Sequence, residues 1–327
     1  PSAMSQRQLK KYLSRLSNKI GDATVYGLKI IMRLVHGNSI EIIDDNKFDT
    51  RKWYLAMSNH QSFADIFIVL VAANNRLPLL KLFMKRELSW IPFIFLANKT
   101  LNMPFVNRHS KAELKENPDL RFQDYKNTLK ACKRFQRSPS TIFSYAEGTR
   151  NTKEKHDLQK SPYKNLLTPK IGGIATALSA IPNIDTLVDF SLVYKSEKRG
   201  AWAFLKGDLK EVKVMIKQYS IPENLKNKDY SLDDAYRENF KNWIEEIWEK
   251  KDSEIESLKS KLNTSQAEQA VAVITAVSVV ERERDALQHC LDQAATEKQL
   301  TEVSLKDKYE TQIKDRDDAI ERLRDMK

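Results

Sequence analysis

The stretch SNHQSFAD, residues 58–65, lies between two apolar runs, WYLAM and IFIVLVAA. It sets His60 and Asp65 five positions apart where a strand-like segment meets a helix-like one. A carboxylate that holds one nitrogen of an imidazole leaves the other available as a base toward a substrate hydroxyl. Five positions along a single helix would turn the two side chains apart. The pairing therefore needs His60 outside the helix and Asp65 in its first turn. A plainer reading shares that geometry: Ser62 and Asp65 fit the S-x-x-D capping box of a helix start. Ser62 is a weak nucleophile candidate, two residues from His60 and at the cap.

Three further motifs follow: MPFVNR (103–108), FSYAEGTR (143–150) and PKIGG (169–173). Arg108 and Arg150 offer planar forks suited to phosphate oxygens, and Lys170 adds a point charge. Gly148 lets backbone approach a ligand closely. Taken singly these residues have plainer uses. Arg150 can pair with Glu147 or sit solvated in a loop, and KIGGIATAL can be a turn entering a helix.

Together with N-H-x-x-x-x-D at 59–65, these motifs resemble the four-block pattern of the glycerolipid acyltransferases, the PlsC-like family. The resemblance covers roughly residues 40–250. Its specificity rests on N-H-x-x-x-x-D and EGTR, about 85 residues apart. LSWIPFIFLANKTLNMPFVNRHS and KNLLTPKIGGIATAL are similar to the branch of bacterial inner-membrane and lysocardiolipin or lysophosphatidylinositol acyltransferases. The resemblance implies transfer of a fatty acyl chain from acyl-CoA or acyl-carrier protein to the hydroxyl of a lysophospholipid such as lysophosphatidic acid. His60 would be the general base and Asp65 its orienting carboxylate, with no acyl-enzyme, no metal and no permanently bound cofactor. Arg108, Glu147, Gly148, Thr149, Arg150 and Lys170 would bind the acceptor. In the fourth block, DFSLVYK carries Lys195 where many relatives have proline, which bears on acceptor and chain preference. Two alternatives stand beside this reading. One is another acceptor, lysocardiolipin or lysophosphatidylglycerol. The other is a membrane-binding coiled-coil scaffold with an inactive domain, against which the intact residue set speaks.

The elements that would position these residues read as α/β. Strands are expected at 51–58, 140–146, 185–195 and 211–220, and helices at 9–35, 63–74, 119–137, 172–180 and 233–251. Alternation of this kind predicts a mainly parallel central sheet flanked by helices, with ligands beyond the carboxyl ends of its strands. His60 and Glu147 both follow expected strands directly.

At 327 residues and 41% hydrophobic, the chain can bury a real core. Cys132 and Cys290 lie far apart without metal-ligand spacing, which suggests a reducing compartment. No apolar run reaches the roughly 18–20 residues of a membrane span. From Ser253 on there are 12 Lys/Arg against 16 Asp/Glu, so the first 252 residues carry +15 of a net +11. So basic a domain wants an anionic partner, and no nucleic-acid module is recognisable. Residues 1–37 hold seven Lys/Arg, one Asp and a stripe of Leu9, Leu13, Leu16 and Ile20. This reads either as an interfacial helix on anionic lipid, at the cytoplasmic face of a membrane, or as an ordinary amphipathic helix. Trp90, Ile91, Phe93, Ile94 and Phe95 read as a second contact, an acyl tunnel or core.

Residues 253–327 lack Gly and Pro. Val273, Val277, Val280, Arg284, Leu287, Leu291 and Ala294 step by heptads, as do Tyr309, Ile313, Arg316, Ile320 and Leu323. The expected organisation is a basic helical segment (1–37), an acyltransferase domain (38–252) and a long helix or coiled coil (253–327). That last segment is expected to mediate self-association and to be dispensable for chemistry.

Overall fold

The structure, a computed structural model, describes residues 5–37, 39–82, 84–85, 90, 95, 103, 105–106, 119–195, 199–209, 211–226, 228 and 233–325. Arg108, Ile91, Phe93 and Ile94 lie outside the described residues. The fold is α/β, as the sequence reading expects. Its sheet has six strands in the order β1 (Ile40–Ile43), β8 (Val212–Ser220), β7 (Ile184–Tyr194), β2 (Trp53–Ser58), β6 (Thr141–Tyr145), β3 (Leu80–Leu82). Every neighbouring pair is parallel except β7 and β8. A separate parallel pair joins β4 (Met84–Lys85) to β5 (Phe105–Val106).

The central strands have the composition of buried parallel strands. Five of the six residues of WYLAMS in β2 are buried, so both faces are covered. On one face Tyr54, Ala56, Val188, Phe190, Leu192, Val214 and Ile216 share a core with Ile68, Val69 and Ala72 of α2 (Asp65–Ala73). The alternate residues Leu55, Met57, Ile142 and Leu187 are buried equally deeply on the other face.

Register determines where the chemistry sits. Ser58, the last residue of β2, is level with Tyr145 at the end of β6 and with Phe190 of β7. The loops carrying His60 and Glu147 therefore leave the sheet side by side, and β7 runs four residues further, to Tyr194. This is the carboxyl edge, where open α/β sheets bind ligands.

Helix α1 (Gln6–His36) starts with a complete capping box, Ser5 and Gln8 bonding reciprocally. It lies on the sheet unit through Ser17, Gly21, Val25, Met32 and His36, a stripe at helical spacing. Ser14 and Asn18 bond Ser138, and Asn18 also accepts from Lys81 at 2.7 Å. The basic segment thus belongs to the compact unit, while Leu9, Leu13, Leu16 and Ile20 stay exposed on its other side. Among the described residues no helix is long and apolar enough to cross a membrane.

The remaining helices are α3 (Asp119–Lys133), α4 (Lys153–Gln159), α5 (Gly172–Ala180), α6 (Ala201–Leu205) and α7 (Asp234–Asp325). The compact unit continues along α7 to Lys261, nine residues past the boundary suggested by glycine and proline usage. Tyr236, Phe240, Ile244, Trp248, Lys251, Ile255 and Leu258 recur at helical spacing, and all are buried. The stretch from Leu262 forms a second unit, a helix whose Val273, Val277, Val280, Leu287 and Leu291 are exposed in the single chain.

Candidate active site

Between β2 and α2 the chain makes a short loop. Asn59 fixes its start: its amide donates to the Leu192 carbonyl at 2.9 Å and accepts from the Leu192 N–H at 2.8 Å. The side chain thereby acts as an extra strand partner for β7. His60 comes next, its N–H donating to Glu147 Oε2 at 2.5 Å and its carbonyl accepting from Asn151 N at 2.6 Å.

Asp65 opens α2 and its carboxylate folds back over the loop. Oδ2 lies 2.7 Å from His60 Nδ1 and accepts the N–H groups of Gln61 at 2.6 Å and Ser62 at 2.8 Å. Oδ1 accepts the Tyr194 hydroxyl. The Asp65 side chain is 0% exposed and the imidazole 21% exposed. A carboxylate only accepts, so Nδ1 carries the proton and Nε2 is the basic nitrogen. The imidazole also stacks on Tyr145, ring centroids 4.0 Å apart.

Only half of the capping box drawn from the sequence forms: Asp65 Oδ2 accepts from Ser62 N, but Asp65 N donates to the Ser62 carbonyl and not to its hydroxyl. Ser62 Oγ accepts from Ala64 N at 3.1 Å and donates to the Arg199 carbonyl at 2.5 Å, and the residue before α2, Ala64, makes no side-chain cap. With its proton committed to a carbonyl, Ser62 is no nucleophile.

Glu147 lies beneath the loop. It is fully buried, and its carboxylate accepts from His60 N, from Leu167 N at 2.9 Å and from Asn151 Nδ2 at 3.4 Å. This geometry positions His60; it does not present Glu147 to a ligand. Burial pushes the carboxyl up to about 7, against the pull of the Leu167 and His60 amides and the Lys251 charge. Folded Glu147 thus keeps its proton to a higher pH than the unfolded chain, where release falls near 4.5. Between those values the folded state binds more protons, so this group's contribution makes stability fall as pH rises. In Glu147→Gln that component is expected to vanish, flattening urea midpoints between pH 4.5 and 7. An unchanged pH slope would exclude Glu147 as its source.

The remaining motif residues gather beside the loop. Gly148 takes φ +67°, and a Cβ there would meet Lys170 Cδ at 2.8 Å. Lys170 also donates its backbone N–H to the Ala146 carbonyl at 2.6 Å, so PKIGG lies against EGTR. Thr149 Oγ1 accepts from Lys155 Nζ at 2.7 Å. Arg150 is exposed and lines an open cleft of about 820 Å³ that begins at Gln61 and Ser62, beside His60. Lys153, Lys155, Lys164, Arg199 and Lys259 line it too, with Asp157 the one carboxylate among its described lining residues.

Helix α7 holds the far wall. Asp252 accepts from Lys164 N at 2.9 Å and Asn165 N at 2.8 Å, while Trp248 Nε1 donates to the Leu167 carbonyl at 2.9 Å. The helix is tied to β7 by a buried ion pair, Lys251 to Asp189 at 2.7 Å. Hydrogen bonds thus run from α7 through the 164–167 loop and Glu147 to the His60 backbone. Asn59, Asn151, Tyr194, Arg199 and the α7 residues were not picked out as site residues by the sequence reading. Asn59 stood inside the quoted motif; the others carry no local signal linking them to His60.

Residues 39–195 match the family model described as Acyltransferase. Among solved structures, the crystal structure of the 1-acyl-sn-glycerophosphate (LPA) acyltransferase PlsC from Thermotoga maritima is similar at 14% identity. The TM-score is 0.43, over 78% of this chain and 84% of that one. No curated protein matches the chain. The matched span begins just before β1 and ends just after β7, taking in the loops at the carboxyl edge, and over these residues the chain is similar to the acyltransferase family.

Proposed function

We propose that this chain moves a fatty acyl group from a thioester, acyl-CoA or acyl-carrier protein, to the hydroxyl of a lysophospholipid such as lysophosphatidic acid. The observation that carries the reading is the His60–Asp65 pair, 2.7 Å apart, beside a cleft lined by cations. His60 Nε2 takes the hydroxyl proton as the oxygen attacks the thioester carbonyl. Asp65 stabilises the imidazolium that forms. The tetrahedral intermediate then expels the thiolate, C–S bond breaking, and the imidazolium returns the proton to sulfur. Arg150 meets the acceptor phosphate, Lys170 adds charge nearby, and Gly148 and Thr149 shape the loop between them. By the sequence resemblance, Arg108 joins this set.

The acceptor is reached from a lipid surface. Leu9, Tyr12, Leu13, Leu16 and Ile20 form an exposed stripe on α1 amid Lys10, Lys11, Arg15 and Lys19, suited to the interface of an anionic membrane at its cytoplasmic face. The test is acyl transfer from radiolabelled acyl-CoA or acyl-carrier protein to a panel of lysophospholipids in anionic vesicles. Transfer to at least one phosphate-bearing acceptor is expected, and so is vesicle binding that weakens as salt rises. No transfer from either donor to any acceptor would overturn the assignment.

A further inference from the structure

The cleft contains more positive charge than one phosphate needs. Among its described lining residues are six Lys/Arg and one carboxylate, Asp157, with Lys164 paired to Glu256 at 2.7 Å. They come from different parts of the fold. Arg150, Lys153 and Lys155 belong to the segment after β6, where Lys155 Nζ bonds Thr149 Oγ1 and the Arg150 carbonyl. Arg199 comes from the segment after β7, and Lys259 from α7.

These last two are held in place by their surroundings. The Arg199 carbonyl accepts from Ser62 Oγ at 2.5 Å, its Nη1 donates to Gln61 Oε1 at 2.5 Å, and its guanidinium lies 5.7 Å from the centre of the Tyr194 ring. Arg199 is thus fixed to the loop that carries His60. Lys259 is half-buried, Nζ bonded to Asn165 Oδ1, on a stretch of α7 anchored by buried Ile255 and Leu258. Burial and the Arg199 charge push the Lys259 ammonium below its usual range, while Glu256 and Asp252 pull it back. Both side chains line the same cleft, so an anion bound there meets a guanidinium and an ammonium from two different elements.

We propose that Arg199 and Lys259 form an anion subsite, built from other elements than Arg150, which takes a second phosphate group of a substrate. The proposal rests on the acyltransferase reading for the identity of that substrate. Such a phosphate has two sources: the nucleotide of acyl-CoA, or a second phosphate on the acceptor headgroup. Both present the dianionic oxygens that an arginine fork and an ammonium recognise.

Calorimetric titration of the full chain separates the sources without turnover. Three unreactive probes are adenosine 3′,5′-bisphosphate for the donor, glycerol 1,3-bisphosphate for a two-phosphate headgroup, and glycerol 3-phosphate as the single-phosphate control. Arg199→Gln and Lys259→Met are each expected to weaken one bisphosphate about tenfold, the loss of one charge-assisted contact, and to leave the control within about twofold. Lys259→Arg, which keeps the charge, restores binding and separates lost charge from lost fold. The bisphosphate affected names the source. The subsite is overturned if neither bisphosphate binds, if neither substitution weakens binding, or if glycerol 3-phosphate weakens equally. Absence of acyl transfer alongside normal probe binding would instead sink the proposed function.

Discussion

Replacing His60 with alanine is expected to lower acyl transfer by about 10²- to 10⁴-fold, the range a positioned general base supplies. The fold should survive. The imidazole is partly exposed, and the contacts that hold residue 60 in place are made by its backbone, to Glu147 Oε2 and Asn151 N. Asp65→Asn should be less selective. Both carboxylate oxygens are used, Oδ2 by two backbone N–H groups and the imidazole, Oδ1 by the Tyr194 hydroxyl. An amide can keep its oxygen toward the N–H groups and turn its NH₂ toward Tyr194, but it no longer stabilises an imidazolium. Its loss should therefore fall in kcat with a modest drop in thermal midpoint. Purified His60→Ala protein with an unchanged midpoint and near-normal turnover would dismiss His60 as the base.

How much of this was legible in the sequence depends on the range of each interaction. The His60–Asp65 pair spans one loop, and the strand-to-helix change around SNHQSFAD locates it. The helix at 172–180 appears as read, and the expected strands at 51–58, 140–146, 185–195 and 211–220 match β2, β6, β7 and β8 to within two residues at either end. Strands β1 and β3 were not anticipated, because four and three residues are too few for a periodic signal and their place comes from pairing with β8 and β6. Glu147 is different in kind. The family resemblance implied an acceptor contact for it, yet its main partners are backbone N–H groups 87 and 20 positions away. Backbone donors leave no mark on composition. Tyr194 reaches Asp65 only because β7 outruns β2 past the Ser58–Phe190 register point.

The tail is where composition misled, and the consequence is measurable. Glycine and proline usage put the end of the domain near Asp252, and the lack of expected site residues beyond Arg150 and Lys170 made the tail look dispensable. The compact unit runs on to Lys261, so a chain ending at Asp252 should lose both activity and stability, whereas one ending at Lys261 should keep them. The shorter chain loses the buried side chains of Ile255 and Leu258, worth about 1.5–3 kcal/mol each. That is a large share of the roughly 5–15 kcal/mol by which a domain is stable. It also loses the pair Glu254–Lys217, the contacts of Glu256 with Lys164 and Asn165, and Lys259. Asp252 itself would become a terminal residue, where helices fray. The 164–167 loop would then be held less firmly, and through Leu167 and Glu147 so would His60. Urea midpoints and specific activity of the two truncations decide the matter: equal activity in both would make α7 beyond Asp252 irrelevant to the site. The stretch from Leu262 carries an exposed heptad seam, and an isolated helix with such a seam is unstable in water. Its partner is expected to be a second copy, so sedimentation should show the full chain associating and the chain ending at Lys261 monomeric. A monomeric full chain would remove the pairing and leave the enzyme argument standing.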